Sequence, residues 1–313
     1  AQVVSSVTVD GQTTTARIEA VPAEEFPTEK TKVAQRAIGP LDGFLEAYRR
    51  VVTFSSTDPT RHVLNGVFWD SDDAVLVATD GRRLGSTAPQ EFNLPESLII
   101  PRTKFLEKQV ITGEESVDFL ALERGESFDF AIAGNSFEYR VRCVEGTYPN
   151  YKMVIPDPRY GFTGTVSIHP DDVPMVKEAV NRLAGDGPDH ALLLYAGEHG
   201  VALPAGTVLT DDPDKGDKHI RLRSSSYAKG QGESAAGCVN AAFLQDFIDT
   251  GFTTLHITDG LNPWLLEGAG TGVVMPLRID STMAILAYAE KHLAGTGTEA
   301  VETTETTETT ETE

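Results

Sequence analysis

Two apolar periods alternate along this chain, and the switches between them mark out its elements. Residues 1–27 read as two extended runs of a hairpin. Val3, Val7 and Val9 lead to Asp10-Gly11, and Thr14, Ala16, Ile18 and Ala20 follow as far as Phe26-Pro27. Asp-Gly between extended runs predicts a hairpin, because glycine accepts the positive φ of a tight turn. A lone hairpin is marginal in water, so this one needs a sheet elsewhere. Over 38–54 the period becomes helical. Leu41, Phe44, Leu45, Tyr48, Val51 and Val52 share one face, with Arg49 and Arg50 outside it. Strands are then predicted at 63–69, 74–79, 83–88 and 97–100. Pro101 is read as opening a short helix to Val110, with Phe105 and Leu106 inward and Arg102, Lys104 and Lys108 projecting. Strands at 116–122, 127–132 and 137–144 complete a unit that closes at Tyr148-Pro149.

A similar order follows. A helix over 170–184 turns Val173, Val176, Val180 and Leu183 inward and Lys177 outward. Strands are predicted at 190–196, 200–204 and 218–226. A helix at 239–249 buries Phe243, Leu244, Phe247 and Ile248, and strands at 253–258, 263–267 and 272–279 end the unit. Phe26-Pro27 and Tyr148-Pro149 stand about one domain length apart, so the pattern predicts an internal repeat of helix, strands, helix, strands. Past Arg278 a short helix is expected, capped by Asp280 or Ser281 and stopped by Gly295. The Glu-Thr-Thr repeats from Glu299 have almost no apolar content and are expected to be disordered.

Composition adds bounds. With 313 residues, about two domains of ~150 residues are expected. The net charge of −21 disfavours nucleic-acid binding as a whole-surface property, yet it leaves room for a locally basic channel. Cys143 and Cys238 lie far apart and read as buried thiols in a reducing compartment, not as a disulfide or a metal pair. No run reaches the ~18 apolar residues of a membrane span and no signal-peptide pattern opens the sequence, so a cytoplasmic protein is expected. Ala1 enters strand-like sequence directly, which favours a piece of a longer chain over a complete two-domain subunit.

One stretch is more specific than its turn chemistry. Leu64-Asn65-Gly66 is followed by Ala78-Thr79-Asp80-Gly81-Arg82-Arg83-Leu84. Further along come Ile100-Pro101-Arg102, Tyr148-Pro149-Asn150-Tyr151, Val154-Ile155-Pro156 and Val273-Val274-Met275-Pro276-Leu277-Arg278. In this order and spacing they resemble the bacterial β sliding clamps of DNA polymerase III, from about residue 3 to Ile279. The resemblance implies an α+β fold of repeated clamp domains, each with two helices under antiparallel sheets, forming a segment of a ring. On that basis 1–30 would be the last hairpin of a mostly missing first domain. Residues 31–150 and 151–279 would be the second and third domains, and 280–313 a C-terminal extension.

The resemblance also implies a function. A clamp encircles duplex DNA and tethers the replicative polymerase, without catalytic residues, metal or cofactor. The implied partners are double-stranded DNA of any sequence, the polymerase, the clamp loader, other proteins with a clamp-binding motif, and further copies in a ring. The implied setting is the nucleoid-associated cytoplasm. Motif matching places a partner-peptide pocket at Leu64, Thr79, Gly81, Arg82, Arg83, Leu84, Pro149, Val154, Val273, Met275, Pro276, Leu277 and Arg278. Arg49, Arg50, Lys104, Lys108 and Lys177 on helices, and Arg61 in a loop, are the candidate DNA contacts. Arg82 and Met153 depart from the family pattern, where histidine and a basic residue are common, so peptide preference is expected to differ.

By residue type alone, Leu84, Val273 and Met275 read as core, and the cations on helices read as a solvated face. Other constellations fail. The acidic run 211–217 lacks the glycine offset and closing glutamate of a calcium loop, and Gly268-Ala269-Gly270-Thr271-Gly272 precedes a strand instead of opening a helix. The seven histidines have no metal spacing, and no nucleophile motif occurs. Two functions remain open: a sliding clamp, or a clamp-like adaptor or competitor that keeps the peptide pocket without encircling DNA.

Overall fold

The structure is a computed structural model that describes residues 2–9, 12–19, 32–91, 94, 96–108, 116–124, 127–135, 137–183, 191–196, 200–204, 220–221, 235–259 and 261–278. The expectations for the Asp10-Gly11 turn, the acidic run 211–217 and everything from Ile279 onward lie outside these residues. β1 (Gln2–Val9) and β2 (Gln12–Glu19) pair antiparallel as a two-stranded sheet.

The next ten elements are β3 (Lys32–Pro40), α1 (Leu41–Val52), β4 (Gly66–Asp70), β5 (Val75–Thr79), β6 (Arg83–Thr87), β7 (Leu98–Pro101), α2 (Lys104–Lys108), β8 (Ser116–Arg124), β9 (Ser127–Ala133) and β10 (Glu138–Arg142). The same order of strand and helix then recurs. It runs through β11 (Gly164–Ser167), α3 (Val173–Leu183), β12 (Ala191–Ala196), β13 (Gly200–Pro204), β14 (Ile220–Arg221), β15 (Ala235–Asn240), α4 (Ala241–Asp249), β16 (Phe252–Ile257), β17 (Trp264–Gly268) and β18 (Gly270–Val274). The pairings repeat as well. Each run makes two four-stranded antiparallel strips: β10-β9-β8-β3 and β6-β5-β4-β7 in the first, β11-β16-β17-β18 and β14-β13-β12-β15 in the second. Helices pack in pairs beneath the strips, α1 beside α2 and α3 beside α4.

α1 forms where the helical period predicts it. Leu41, Phe44, Leu45, Tyr48, Val51 and Val52 are all buried, with Asp42 in the first turn and Arg49 and Arg50 in the last, where each charge suits the helix dipole. α4 is better capped. The Asn240 Oδ1 accepts from the N–H groups of Ala242 (2.9 Å) and Phe243 (3.2 Å), and Gly251 at φ +93° ends the helix in the left-handed region.

Several expectations need correction. Pro101 ends β7 instead of opening a helix, and α2 starts at Lys104 behind Thr103, whose hydroxyl accepts from the Leu106 N–H. His62–Leu64 is a 3-10 turn, not strand. β3, β11 and β15 were not expected at all. β3 carries two exposed apolar residues, Val33 and Ile38, and a register shift between Val33 and Gln35, so its alternation is broken.

The two runs are joined through their sheets. β18 pairs antiparallel with β6, fusing two strips into one eight-stranded sheet in the order β11-β16-β17-β18-β6-β5-β4-β7. Gly85 of β6 and Gly272 of β18 face each other in register. A Cβ on Gly85 would lie 2.3 Å from the Phe54 ring, and one on Gly272 2.6 Å from the Phe247 ring. The paired glycines therefore make room for Phe54, just past α1, and Phe247, on α4, whose ring centroids are 4.6 Å apart beneath the seam. Phe252 meets both rings edge-on.

This packing generates the first prediction. Gly85→Ala should overpack the seam and lower stability by about 1–3 kcal/mol, and Phe54→Ala should cost about 3–5 kcal/mol. Gly85→Ala combined with Phe54→Leu should be less damaging than the two changes summed, because the smaller side chain relieves the clash. Denaturant unfolding of these three variants and of Phe54→Leu alone checks this; strict additivity of Gly85→Ala and Phe54→Leu would refute the shared-space account.

Candidate partner-binding surface

The turn between β5 and β6 is built by its own side chains. The Asp80 Oδ1 accepts from the N–H groups of Arg82 (2.8 Å) and Arg83 (3.1 Å), the Thr79 hydroxyl donates to the Arg83 carbonyl (2.6 Å), and Gly81 takes φ +86°. Only glycine tolerates that dihedral without strain. Arg61 lies against this turn, its Nη1 donating to the Asp80 carbonyl at 2.8 Å. On the other side of β6 the chain leaving β18 continues the pairing. The Met275 N–H donates to the Arg82 carbonyl (2.9 Å), and the Leu277 N–H then crosses to the Cys238 carbonyl of β15 (2.6 Å).

On the face of this seam opposite Phe54 and Phe247 lies a compact apolar cluster of Leu64, Val77, Leu84, Tyr148, Tyr151 and Val273, joined by Val75 and Ile99. It draws on the 3-10 turn before β4, on β5, β6 and β18, and on the connector between the two runs. Phe68 stacks face to face on Tyr148, with centroids 4.6 Å apart and planes 3° apart, and meets Tyr151 edge-on. The connector returns in a second 3-10 turn, Tyr151–Val154, which leaves Met153 81% exposed and Val154 47% exposed. Met275 is 41% exposed at the end of β18. These three are half of the large exposed apolar residues among the described residues; the others are Val33, Ile38 and Leu261.

The connector is tied down from below. The Tyr151 hydroxyl donates to the Asp70 Oδ2 at 2.7 Å, and the Lys152 ammonium sits 3.0 Å from that oxygen and 2.7 Å from Asp73. Burial alone pushes the Asp70 carboxyl up, but the bonds from Tyr151, Lys152 and the Asp72 N–H outweigh it and hold the group below the usual carboxylate range. The network is therefore intact at neutral pH. On the acid side it loosens as pH falls through that lowered value.

The predicted pocket residues fall into three groups. Leu64, Leu84 and Val273 are buried in the cluster, and Pro276 is buried beside it in sequence. Thr79 and Leu277 are half-buried, while Gly81, Arg82, Pro149, Val154, Met275 and Arg278 are exposed. Arg83 behaves differently from a rim residue. Its side chain is 10% exposed and lies 2.5 Å from Asp246 of α4 and 3.2 Å from Asp80; it also donates to the Thr53 carbonyl and stacks on the Phe243 ring at 4.3 Å. It pins one run of elements to the other. A cavity of about 210 Å³, bordered by Phe68, Leu98, Ile99, Phe128 and Val144, shares Phe68, Ile99 and Val144 with the cluster and its surroundings and contains none of the predicted residues. Cys143 also lines it, its thiol pushed up to about 12 by burial.

The predicted DNA contacts are mostly engaged. The Arg49 Nε donates to the Leu106 carbonyl of α2, Arg50 pairs with Glu46 at 2.7 Å, and Arg61 holds the Asp80 turn. Lys177 of α3 pairs with Asp249 of α4. Lys104 and Lys108 of α2 are exposed. Sequence reading missed Phe68, Asp70 and Lys152. The only trace of their role is the Tyr148-Pro149-Asn150-Tyr151 motif that they hold.

No family model matches the chain. A segment of 112 residues is 36% identical to the beta sliding clamp of Treponema pallidum, and one of 119 residues is 27% identical to that of Borreliella burgdorferi. The first match takes in 33% of this chain and 28% of that protein, the second 36% and 30%, so the matched segments span under a third of each relative's length. The fold is similar over far more of the chain. The DNA polymerase III beta chain of Streptococcus pneumoniae superposes with a TM-score of 0.67 at 18% identity, covering 88% of this chain and 72% of that one. The sliding clamp of Bartonella birtlesii bound to griselimycin gives 0.66 at 21% identity, covering 88% and 74%.

The placement of Arg83 generates a second prediction. Arg83→Met should lower stability by about 1–3 kcal/mol, less than the ~3–5 kcal/mol for breaking a fully buried pair, because Asp246 keeps some contact with solvent. Arg83→Lys should recover only part of this, since an ammonium lacks the fork that reaches both aspartates and stacks on Phe243. Thermal unfolding checks both; an unchanged midpoint for Arg83→Met would refute the pinning role.

Proposed function

We propose that this chain, a relative of bacterial β sliding clamps that carries their fold, is a segment of a processivity clamp. In this reading 31–150 and 151–279 are two clamp domains and 1–30 the last hairpin of another. The assembled ring encircles duplex DNA and tethers the replicative polymerase through the surface around Met275. The observation that carries the peptide part is the exposure of Met153 and Val154, just after Tyr151, and of Met275, two residues after Val273, next in sequence to members of a cluster the fold otherwise buries. Methionine adapts its shape to different partners, which suits a surface that must accept several.

The sheet topology supports the ring. β6 and β18 fuse the two runs, and their counterparts in the repeated order are β14 and β10. Among the described residues those two strands have no partner on their outer edges, so each offers the pairing that its counterpart already makes. A ring held closed this way does topological work. It cannot leave the duplex sideways, so weak, sequence-independent attraction to phosphates is enough and permits sliding. Opening the ring would be the task of a separate loader, and the clamp itself would catalyse nothing. The cytoplasm beside the nucleoid is the proposed setting.

One observation favours the adaptor reading. Four of the six cations proposed to meet DNA are held by carbonyls or carboxylates of this chain. Retention on circular but not linear duplex would support the clamp, whereas peptide binding with no topological retention would support the adaptor.

The test pairs two titrations on the same variants. Met275→Ala and Leu277→Ala should each weaken a fluorescent peptide carrying large apolar side chains by roughly 1–2 kcal/mol, about five- to thirtyfold, and leave duplex binding unchanged. Arg49→Ala with Arg50→Ala should leave the peptide alone and reduce the salt slope of duplex binding by up to about two. Folded Met275→Ala and Leu277→Ala variants with unaltered peptide affinity would mean that these residues are plain packing.

A further inference from the structure

The turn that presents Met153 and Val154 has little of its own to hold it. It is a four-residue 3-10 turn, and the residue before it, Asn150, makes no side-chain capping bond. Its order comes from Asp70, the last residue of β4, which is 5% exposed. Asp70 receives the Tyr151 hydroxyl at 2.7 Å and the Lys152 ammonium at 3.0 Å, while its Oδ1 is kept in place by the Asp72 N–H at 2.9 Å. Lys152 also reaches Asp73 and passes 5.7 Å over the Tyr151 ring. Packing of the connector needs only the tyrosine ring in the cluster. The lysine, 44% exposed at its side chain, adds nothing to the core, yet it is held at two points immediately before Met153.

We infer that Asp70 is a positioning residue for the partner-binding surface: through Tyr151 and Lys152 it fixes the turn so that Met153 and Val154 stand as a preformed apolar wall for an uncharged, apolar side chain of the partner peptide. A wall ordered beforehand spares the peptide the cost of ordering it on binding. Loosening the network should therefore weaken the peptide without removing any atom that touches it. This inference rests on the peptide-binding reading proposed above.

The experiment is an anisotropy titration of a labelled peptide containing adjacent Leu and Phe against the full chain. Asp70→Asn and Lys152→Met should each weaken binding roughly three- to tenfold, and Lys152→Arg should stay within about twofold of the unmodified chain. In a Met153→Ala, Val154→Ala background, Lys152→Met should change affinity by less than about twofold, because the wall it positions is gone. Should Asp70→Asn fail to fold, Lys152→Met carries the test, since its side chain lies at the surface. Equal losses in both backgrounds, or no loss from Lys152→Met, would overturn the inference while leaving the peptide surface standing. A peptide that does not bind the unmodified chain would overturn the surface reading and this inference with it.

Discussion

The pairing of β6 with β18 is the constraint on which the rest depends. It turns two separate strips into one sheet, and it works only because Gly85 and Gly272 meet in register and leave the space that Phe54 and Phe247 fill. With those rings in contact, the segment just past α1 meets α4, and the Arg83 fork reaches Asp246 across the seam. The apolar cluster of Leu84 and Val273 is a direct product of the same two strands. Stability of the seam and formation of the apolar cluster under the proposed partner surface are therefore one structural event.

Much of the fold was legible because its elements obey simple periods. α1 shows its buried face as a clean helical stripe, and the β5–β6 turn is written into Thr79-Asp80-Gly81. The missed strands break their patterns for identifiable reasons. β15 is built of small residues, and its Gly237 is required by the Trp264 ring, to which a Cβ would come within 2.2 Å. β11 is short and mostly polar, and β3 carries a register shift.

The candidate surface was only partly legible. Residues that sit on a recognisable motif, such as Leu64, Leu84 and Val273, do come together in one cluster. What could not be read is which side chains are already committed. Arg83 looks available beside Arg82, but its partner lies 163 positions downstream, and no local pattern reveals that. Lys152 and Asp70 are 82 positions apart and likewise meet only through the fold. The chain's acidity hid a similar fact: cations on helix faces are balanced locally, by Glu46 for Arg50 and by Asp249 for Lys177.

The long reach of the seam bears on how the molecule is made. Ser86 and Thr271, which join across it, are separated by 185 positions. During synthesis β6 emerges early and pairs with β5, and its other edge then stays open until β18 leaves the ribosome. Through that interval the half-sheet shows an unpaired edge of the kind that recruits foreign strands. It also lacks Val273 and Met275, so a nascent or truncated chain has no complete surface to offer a partner. Arrival of the last strand closes the edge and completes the proposed surface together, so on the proposed reading only chains that have finished folding would recruit a partner.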